Sequence, residues 1–287
     1  MLHRTVGIST GLARLNRETF AEYAANGIGA FELSVGFDHY PELDLPRITA
    51  EARACGVGTW SFHLPFAEPH RADISSTDEA FRTRTVELEA EWLRRAADSG
   101  FRHAVIHPSS EPVPQESRAA HMDSACRSLA QLGAVADRAG IVLAVEDLPR
   151  SCLGNCSGDM LQLLGAWPSL RVCFDTNHLL GEDFGPFLDA VGDRVATLHV
   201  SDYDFENERH WLPGEGKNDW PRLMDKLDAI GYTGTFLYEV SMRSATIERP
   251  RALCAADFRT NADELEARAV LTKRGTPLPD LGLWGPK

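Results

Sequence analysis

The chain has 287 residues, 43% of them hydrophobic, and 29 Lys and Arg against 42 Asp and Glu, a formal charge of −13. This is apolar material enough for one large α/β domain or two ordinary ones. The acidic balance argues against nucleic acid as a partner, because phosphate-backbone binding rests on clustered Lys and Arg. There is no apolar run of about 18 residues, and Met1-Leu2-His3-Arg4 leads into Val6-Gly7-Ile8 without a signal-peptide pattern, so no membrane is expected and the location expected is cytoplasmic.

Short apolar runs alternate with amphipathic stretches along the chain. The strand candidates are Arg4–Ser9, Ala30–Ser34, Gly58–His63, His103–His107, Ile141–Glu146, Arg171–Asp175, Val195–Val200 and Thr235–Glu239. Between them the spacing predicts helices at Asn16–Asn26, Leu45–Cys55, Asp78–Ser99, Glu116–Ala139, Gly158–Trp167, Phe184–Val191 and Trp220–Ile230. Several close on a glycine, as helix C-termini prefer: Gly27, Gly56, Gly100, Gly140 and Gly231. The alternation predicts an α/β fold, a single-domain (β/α)8 barrel over residues 1–274, with a doubly wound open sheet as the competitor. Residues 275–287, rich in Gly and Pro, read as a coil tail anchored by Trp284.

Strand parity favours the barrel. Turning Glu146, Asp175, His199 and Glu239 inward also turns in Ala144, Cys173, Thr197 and Leu237, which are mostly small. It sends Leu143, Val145, Phe174, Leu198, Phe236 and Tyr238 outward, under a helix ring. Gly7-Ile8-Ser9-Thr10-Gly11 lacks the spacing of a dinucleotide-binding turn.

At or near the end of each strand after the first lies an acid or an imidazole: Glu32, His63, His107, Glu146, Asp175, His199 and Glu239. In a barrel these ends share one mouth, where catalytic groups sit. Unpaired buried carboxylates cost several kcal/mol or protonate, and a divalent cation removes that difficulty. Glu146, Asp175, His199 and Glu239 form the most economical site: three oxygen donors and one nitrogen, suited to one Mn, Mg or Co ion, with Zn also allowed.

Around this quartet other readings stay open. His178, three residues beyond Asp175, can face a substrate hydroxyl or a second metal. His63 and His107 can be additional ligands, partners of sugar hydroxyls or core histidines. Arg209 suits substrate contact, as do Asp202 and Glu208 with less to recommend them; Trp60, Phe66 and Trp211 can stack on a substrate. Ser9, Thr10 and Asn155 read as loop polarity. The six cysteines include no Cys-x-x-Cys pair, and Cys152 and Cys156 have no second pair to complete a structural zinc site.

Glu146 in Ala144-Val145-Glu146-Asp147-Leu148, Phe174-Asp175-Thr176-Asn177-His178, Leu198-His199-Val200-Ser201-Asp202, Pro213-Gly214-Glu215-Gly216 with Asp219-Trp220, and Gly231-Tyr232-Thr233-Gly234 leading to Tyr238-Glu239 together resemble the xylose-isomerase-like barrel superfamily. Within it the chain is similar to the sugar phosphate isomerase/epimerase group, which includes ketose 3-epimerases, hydroxypyruvate isomerase and inosose dehydratase. The resemblance implies that Glu146, Asp175, His199 and Glu239 bind one divalent metal. It also implies that Glu146 and Glu239 move protons through an enediolate, and that His178 and Arg209 hold the oxygens of a small sugar. A dehydratase or lyase acting on a keto-polyol shares that first step. The superfamily also contains endonuclease IV, a trinuclear zinc phosphodiesterase that cuts DNA at abasic sites. His63, His107, Glu146, Asp175, His178, His199, His210 and Glu239 have counterparts among its ligands, and Glu208 falls where it carries Asp. On that pattern His63, His107, His178 and His210 are candidates for further metals. The acidic charge and the lack of a basic aromatic loop weigh against DNA. Self-association is left open.

Overall fold

The computed structural model describes residues 4–279, so Trp284 and most of the expected tail lie outside the described residues. Eight parallel strands form the centre: β1 (Val6–Thr10), β2 (Ala30–Leu33), β3 (Gly58–His63), β4 (His103–Ile106), β5 (Val142–Glu146), β6 (Arg171–Asp175), β7 (Val195–His199) and β8 (Phe236–Tyr238). Each pairs with the next from β1 to β7, and β8 returns to β1. The β7–β8 seam is a single bridge, Val200 to Tyr238, with Val200 N–H donating to Leu237 O at 2.8 Å. The fold is a (β/α)8 barrel in one domain.

Helices α1 (Arg17–Ala25), α2 (Leu45–Ala54), α3 (Glu79–Asp98), α4 (Arg118–Ala139), α5 (Ser157–Leu164), α6 (Phe184–Val191) and α7 (Trp220–Ala229) occupy the predicted stretches. Asn16, Asp44, Asp78, Asp183 and Asp219 each accept a backbone N–H at a helix start, relieving one of the donors an N-terminus leaves open. An eighth helix, α8 (Ala255–Glu266), adds to the seven that the apolar spacing marks. Its buried face carries Phe258 and Leu265 but also Ala255, Ala262 and the polar Asp257 and Asn261, which dilutes the sequence signal. Residues 275–279 also depart from coil. A two-residue strand β10 (Thr276–Pro277) pairs antiparallel with β9 (Ile247–Glu248), laying the chain over the loop that follows β8.

The inside and outside of the barrel differ in residue size. Leu143, Val145, Phe174, Leu198, Phe236 and Tyr238 belong to the large apolar core under the helices. Val105, Ala144 and Cys173, all with no exposure, form a separate small cluster within the barrel. Small residues at mid-barrel leave width above them for the polar strand ends. Below, a register irregularity in the β2–β3 pairing, between Phe31 and Glu32, lets Trp60 reach across to the opposite wall. Its indole N–H donates to Thr197 Oγ1 at 2.9 Å and its ring lies 4.3 Å from that of His103, the first residue of β4. Trp60 therefore fills the barrel floor, on the far side from the mouth where a substrate-stacking ring would sit.

Candidate active site

β5, β6 and β7 end on Glu146, Asp175 and His199, and Glu239 follows β8 by one residue. One donor atom from each of the four lies within 4.8 Å of the others. His199 Nδ1 is 2.9 Å from Glu146 Oε1 and 3.2 Å from Glu239 Oε2. Glu146, Asp175 and His199 are buried, whereas the Glu239 side chain keeps 23% exposure and opens on a cavity of about 260 Å³ shared with Ser9, Arg209, His210, Ser241 and Ser244.

Charge in this pocket is unevenly satisfied. Burial pushes the carboxyl pKa of Glu146 up, but His199 and His107 outweigh it and hold it well below the usual range. For Glu239, burial is again opposed by His199, leaving it at about 2. For Asp175, burial wins over the attraction of His178 and the carboxyl is pushed up to about 7. Asp175 Oδ1 accepts from Asn177 N–H at 2.7 Å, but Oδ2 and His178 Nε2, which face each other at 3.5 Å, are both buried without a hydrogen bond. A carboxylate oxygen and an imidazole nitrogen buried without hydrogen bonds, with two further carboxylates beside them, are an expensive arrangement in a protein alone. A divalent cation fits this donor set.

Two further groups flank the quartet. His63, His107 and Glu146 form one, and His178, Glu208 and His210 the other. The imidazoles are oriented by their far nitrogens: His63 Nδ1 on Leu64 O at 2.9 Å, His178 Nδ1 on Asp147 O at 2.7 Å and His210 Nδ1 on Glu239 O at 3.1 Å. Bonding to a carbonyl puts a proton on Nδ1 and turns each Nε2 toward a carboxylate, and against the pull of burial those carboxylates raise the imidazoles above their ordinary range, His210 to about 9; the same orientation is found in metal-ligating histidines. Glu208 Oε1 lies 2.9 Å from His210 Nε2, and Arg150 donates to Glu208 Oε2 at 3.0 Å. Arg150 also holds Glu111 through Nε and Nη2, tying three mouth loops together from a left-handed backbone at φ 53.

The remaining candidates divide between mouth and scaffold. Arg209 is buried, its Nε donates to Asp204 Oδ2 at 2.7 Å, and it lines the cavity with His210 and Glu239. Phe66 lies over His63 and His107, 4.7 and 4.8 Å between ring centres, and is partly exposed at the mouth. Trp211 is buried and donates to Thr246 Oγ1 at 2.8 Å. Asp202 is structural: its two oxygens accept from Tyr203, Gly214, Gly216 and Asn218 N–H and from Trp220 Nε1. Gly214 wraps this carboxylate with φ 97, and a Cβ on Gly216 would collide with it. Asn155 donates to Arg150 O, and Thr10 bonds Ile8 O and Tyr23. Cys152 and Cys156 are free thiols outside every metal-capable group among the described residues.

Asp147 is a residue the sequence reading passes over. Its Oδ1 accepts Asp175 N–H at 2.7 Å while its carbonyl anchors His178, so it braces two site residues at once. Its position directly after a strand-end acid gives the only sequence signal.

A family model described as a xylose isomerase-like TIM barrel matches residues 20–262. The chain belongs to this family. Within the xylose isomerase-like barrels, it is 26% identical over 186 residues to an uncharacterized protein of Methanocaldococcus jannaschii, a match covering 62% of each chain, under two thirds of that relative's length. It is 26% identical over 256 residues to an L-ribulose-5-phosphate 3-epimerase of Salmonella heidelberg, covering 85% of this chain and 87% of the other. A fructoselysine 3-epimerase of Shigella flexneri is 31% identical over 147 residues, 46% of this chain and 53% of that one. Among solved structures, a D-tagatose 3-epimerase-like protein superposes with a TM-score of 0.75 at 19% identity, covering 92% of this chain and 96% of that one. At that identity the superposition speaks to the fold.

Proposed function

We propose that the chain is a divalent-metal-dependent isomerase or epimerase of a small ketose or related sugar derivative. The observation that carries this reading is the quartet of Glu146, Asp175, His199 and Glu239, with donor atoms within 4.8 Å of one another and an oxygen of Asp175 stranded among them. The sugar epimerases among its relatives support the same class.

Glu146, Asp175, His199 and Glu239 would hold the ion, as Mn, Mg, Co or Zn. When bound, such an ion supplies Lewis-acid polarisation of a substrate carbonyl and its neighbouring hydroxyl. The chain's own residues would do the proton work. Glu239, ionised at neutral pH and facing the cavity, would accept a proton from the carbon beside the carbonyl; Glu146, on a separate strand, would return one drawn from solvent. His63, His107, His178 and Arg209 would position sugar oxygens.

The test is solvent exchange. Metal-loaded protein incubated with a panel of ketoses in deuterated water should place deuterium beside the carbonyl, and Glu239→Gln should slow that exchange by about 10²–10⁴-fold. Absence of exchange across the panel contradicts the reading. Loss of water from a keto-polyol would move it to a dehydratase using the same site.

One observation favours a second reading, a trinuclear zinc phosphodiesterase like endonuclease IV. The groups His63–His107–Glu146 and His178–Glu208–His210 adjoin the central quartet, giving ligands for three ions. Three zinc ions per chain together with cleavage of an abasic duplex would establish it; one ion per chain would dismiss it.

A further inference from the structure

Glu32 is fully buried at the inner end of β2, on a wall of the barrel remote in sequence from every residue of the quartet. Its Oε2 lies 3.1 Å from His199 Nε2 and accepts from Ser61 Oγ at 2.6 Å; its Oε1 accepts from Ser9 Oγ at 2.9 Å. The two serines come from β3 and β1, the strands on either side. Three strands thus converge to hold one carboxylate in a single orientation, aimed at the far nitrogen of one imidazole.

His199 differs from His63, His178 and His210, whose far nitrogens rest on backbone carbonyls. A carboxylate accepts more strongly than a carbonyl and makes the opposite ring nitrogen a better electron donor. With the proton held on Nε2, the lone pair of Nδ1 points at Glu146 and Glu239.

We propose that Glu32 is a positioning residue: by taking the Nε2–H of His199 it fixes the imidazole tautomer and orientation, and so sets the affinity of the quartet for a divalent cation. This rests on the cation reading of the site. Ser9 and Ser61 hold Glu32 in turn, which gives Ser9 a role beyond loop polarity.

The experiment is a titration of the full-length, chelator-stripped protein with Co²⁺, read by visible d–d absorption and by competition with a chromophoric chelator. Wild-type protein should bind with a defined spectrum. Glu32→Gln, which keeps the shape and removes the charge, should bind about 10–100-fold more weakly with a shifted spectrum. Its metal-free melting and circular dichroism check the fold. Ser61→Ala, which leaves the carboxylate but loosens it, should move affinity in the same direction by less, and carries the test if Glu32→Gln fails to fold. Wild-type affinity and spectrum in a folded Glu32 variant, or unchanged affinity in Ser61→Ala where that variant carries the test, would overturn the role of Glu32 while leaving the cation site standing. A wild-type protein that binds neither Co²⁺ nor, in the same chelator competition, Mn²⁺, Mg²⁺ or Zn²⁺ would overturn the cation reading itself, and the proposal with it.

Discussion

Asp175, the last residue of β6, and Asp202, three residues beyond β7, are both fully buried aspartates, and they are treated in opposite ways. Asp202 receives five protein donors, four backbone N–H groups and the Trp220 indole, so its charge is spread over the loop it organises. Asp175 receives one, from Asn177, and its second oxygen has none. A buried acid whose protein shell is complete builds architecture. One whose shell is left incomplete beside other acids points to something the chain does not itself supply.

The sharpest way to break this contrast is to remove Asp202. Asp202→Ala strands the N–H groups of Gly214, Gly216 and Asn218, and since each buried unsatisfied donor costs about 1–3 kcal/mol, we expect a loss of about 3–5 kcal/mol in urea unfolding. Divalent metal should not restore it. A loss under about 1 kcal/mol would show that the loop satisfies its donors without the carboxylate.

Asp175→Asn should behave in reverse. It removes a costly buried charge, so metal-free stability should change by less than about 1 kcal/mol. The metal-free wild type should gain about 2.7 kcal/mol at a hundredfold excess of metal over Kd, and the variant should gain almost none. A variant stabilised by metal as strongly as wild type would remove Asp175 from the site.

The smallest effect belongs to Asp257, which caps α8 through Cys254 N–H at 2.9 Å and pairs with Arg251. Burial would raise its pKa, but the Arg251 guanidinium and the Cys254 N–H prevail and hold it at about 2. A folded pKa below the ordinary carboxyl value of about 3.9 means stability that is present above pH 4 and lost as pH falls toward 2. Asp257→Asn should cost about 1 kcal/mol at pH 7, in the range of a lost helix cap, and flatten the acid limb of a pH–stability curve between pH 4 and 2. An unchanged acid limb would show that the cap carries no charge-dependent stability.

The barrel was legible because its signals are local. Glycines such as Gly140, left-handed at φ 70, mark helix ends, and alternation such as Leu143-Ala144-Val145-Glu146 marks which face of a strand meets the helices. The strand-end acids and imidazoles were legible for the same reason, since the barrel carries every such end to one mouth. What escaped the sequence depends on partners fixed only by closure. Glu32 meets His199 across the barrel, Trp60 turns to the floor at a register irregularity, and Asp202 is distinguished from Asp175 only by the turn that wraps it. Helix α8 escaped because alanines occupy half of its buried apolar positions.

The claim on which the rest depends is that the mouth is a cation site. Elemental analysis of protein stripped with chelator and then dialysed against Mn²⁺, Co²⁺, Mg²⁺ or Zn²⁺ tests it most directly. We predict at least one tightly held ion per wild-type chain for one or more of these metals, and loss of that ion in the Glu146→Gln, Asp175→Asn double variant. A wild-type chain that retains no ion under any of the four conditions, with unchanged thermal stability, would contradict the account.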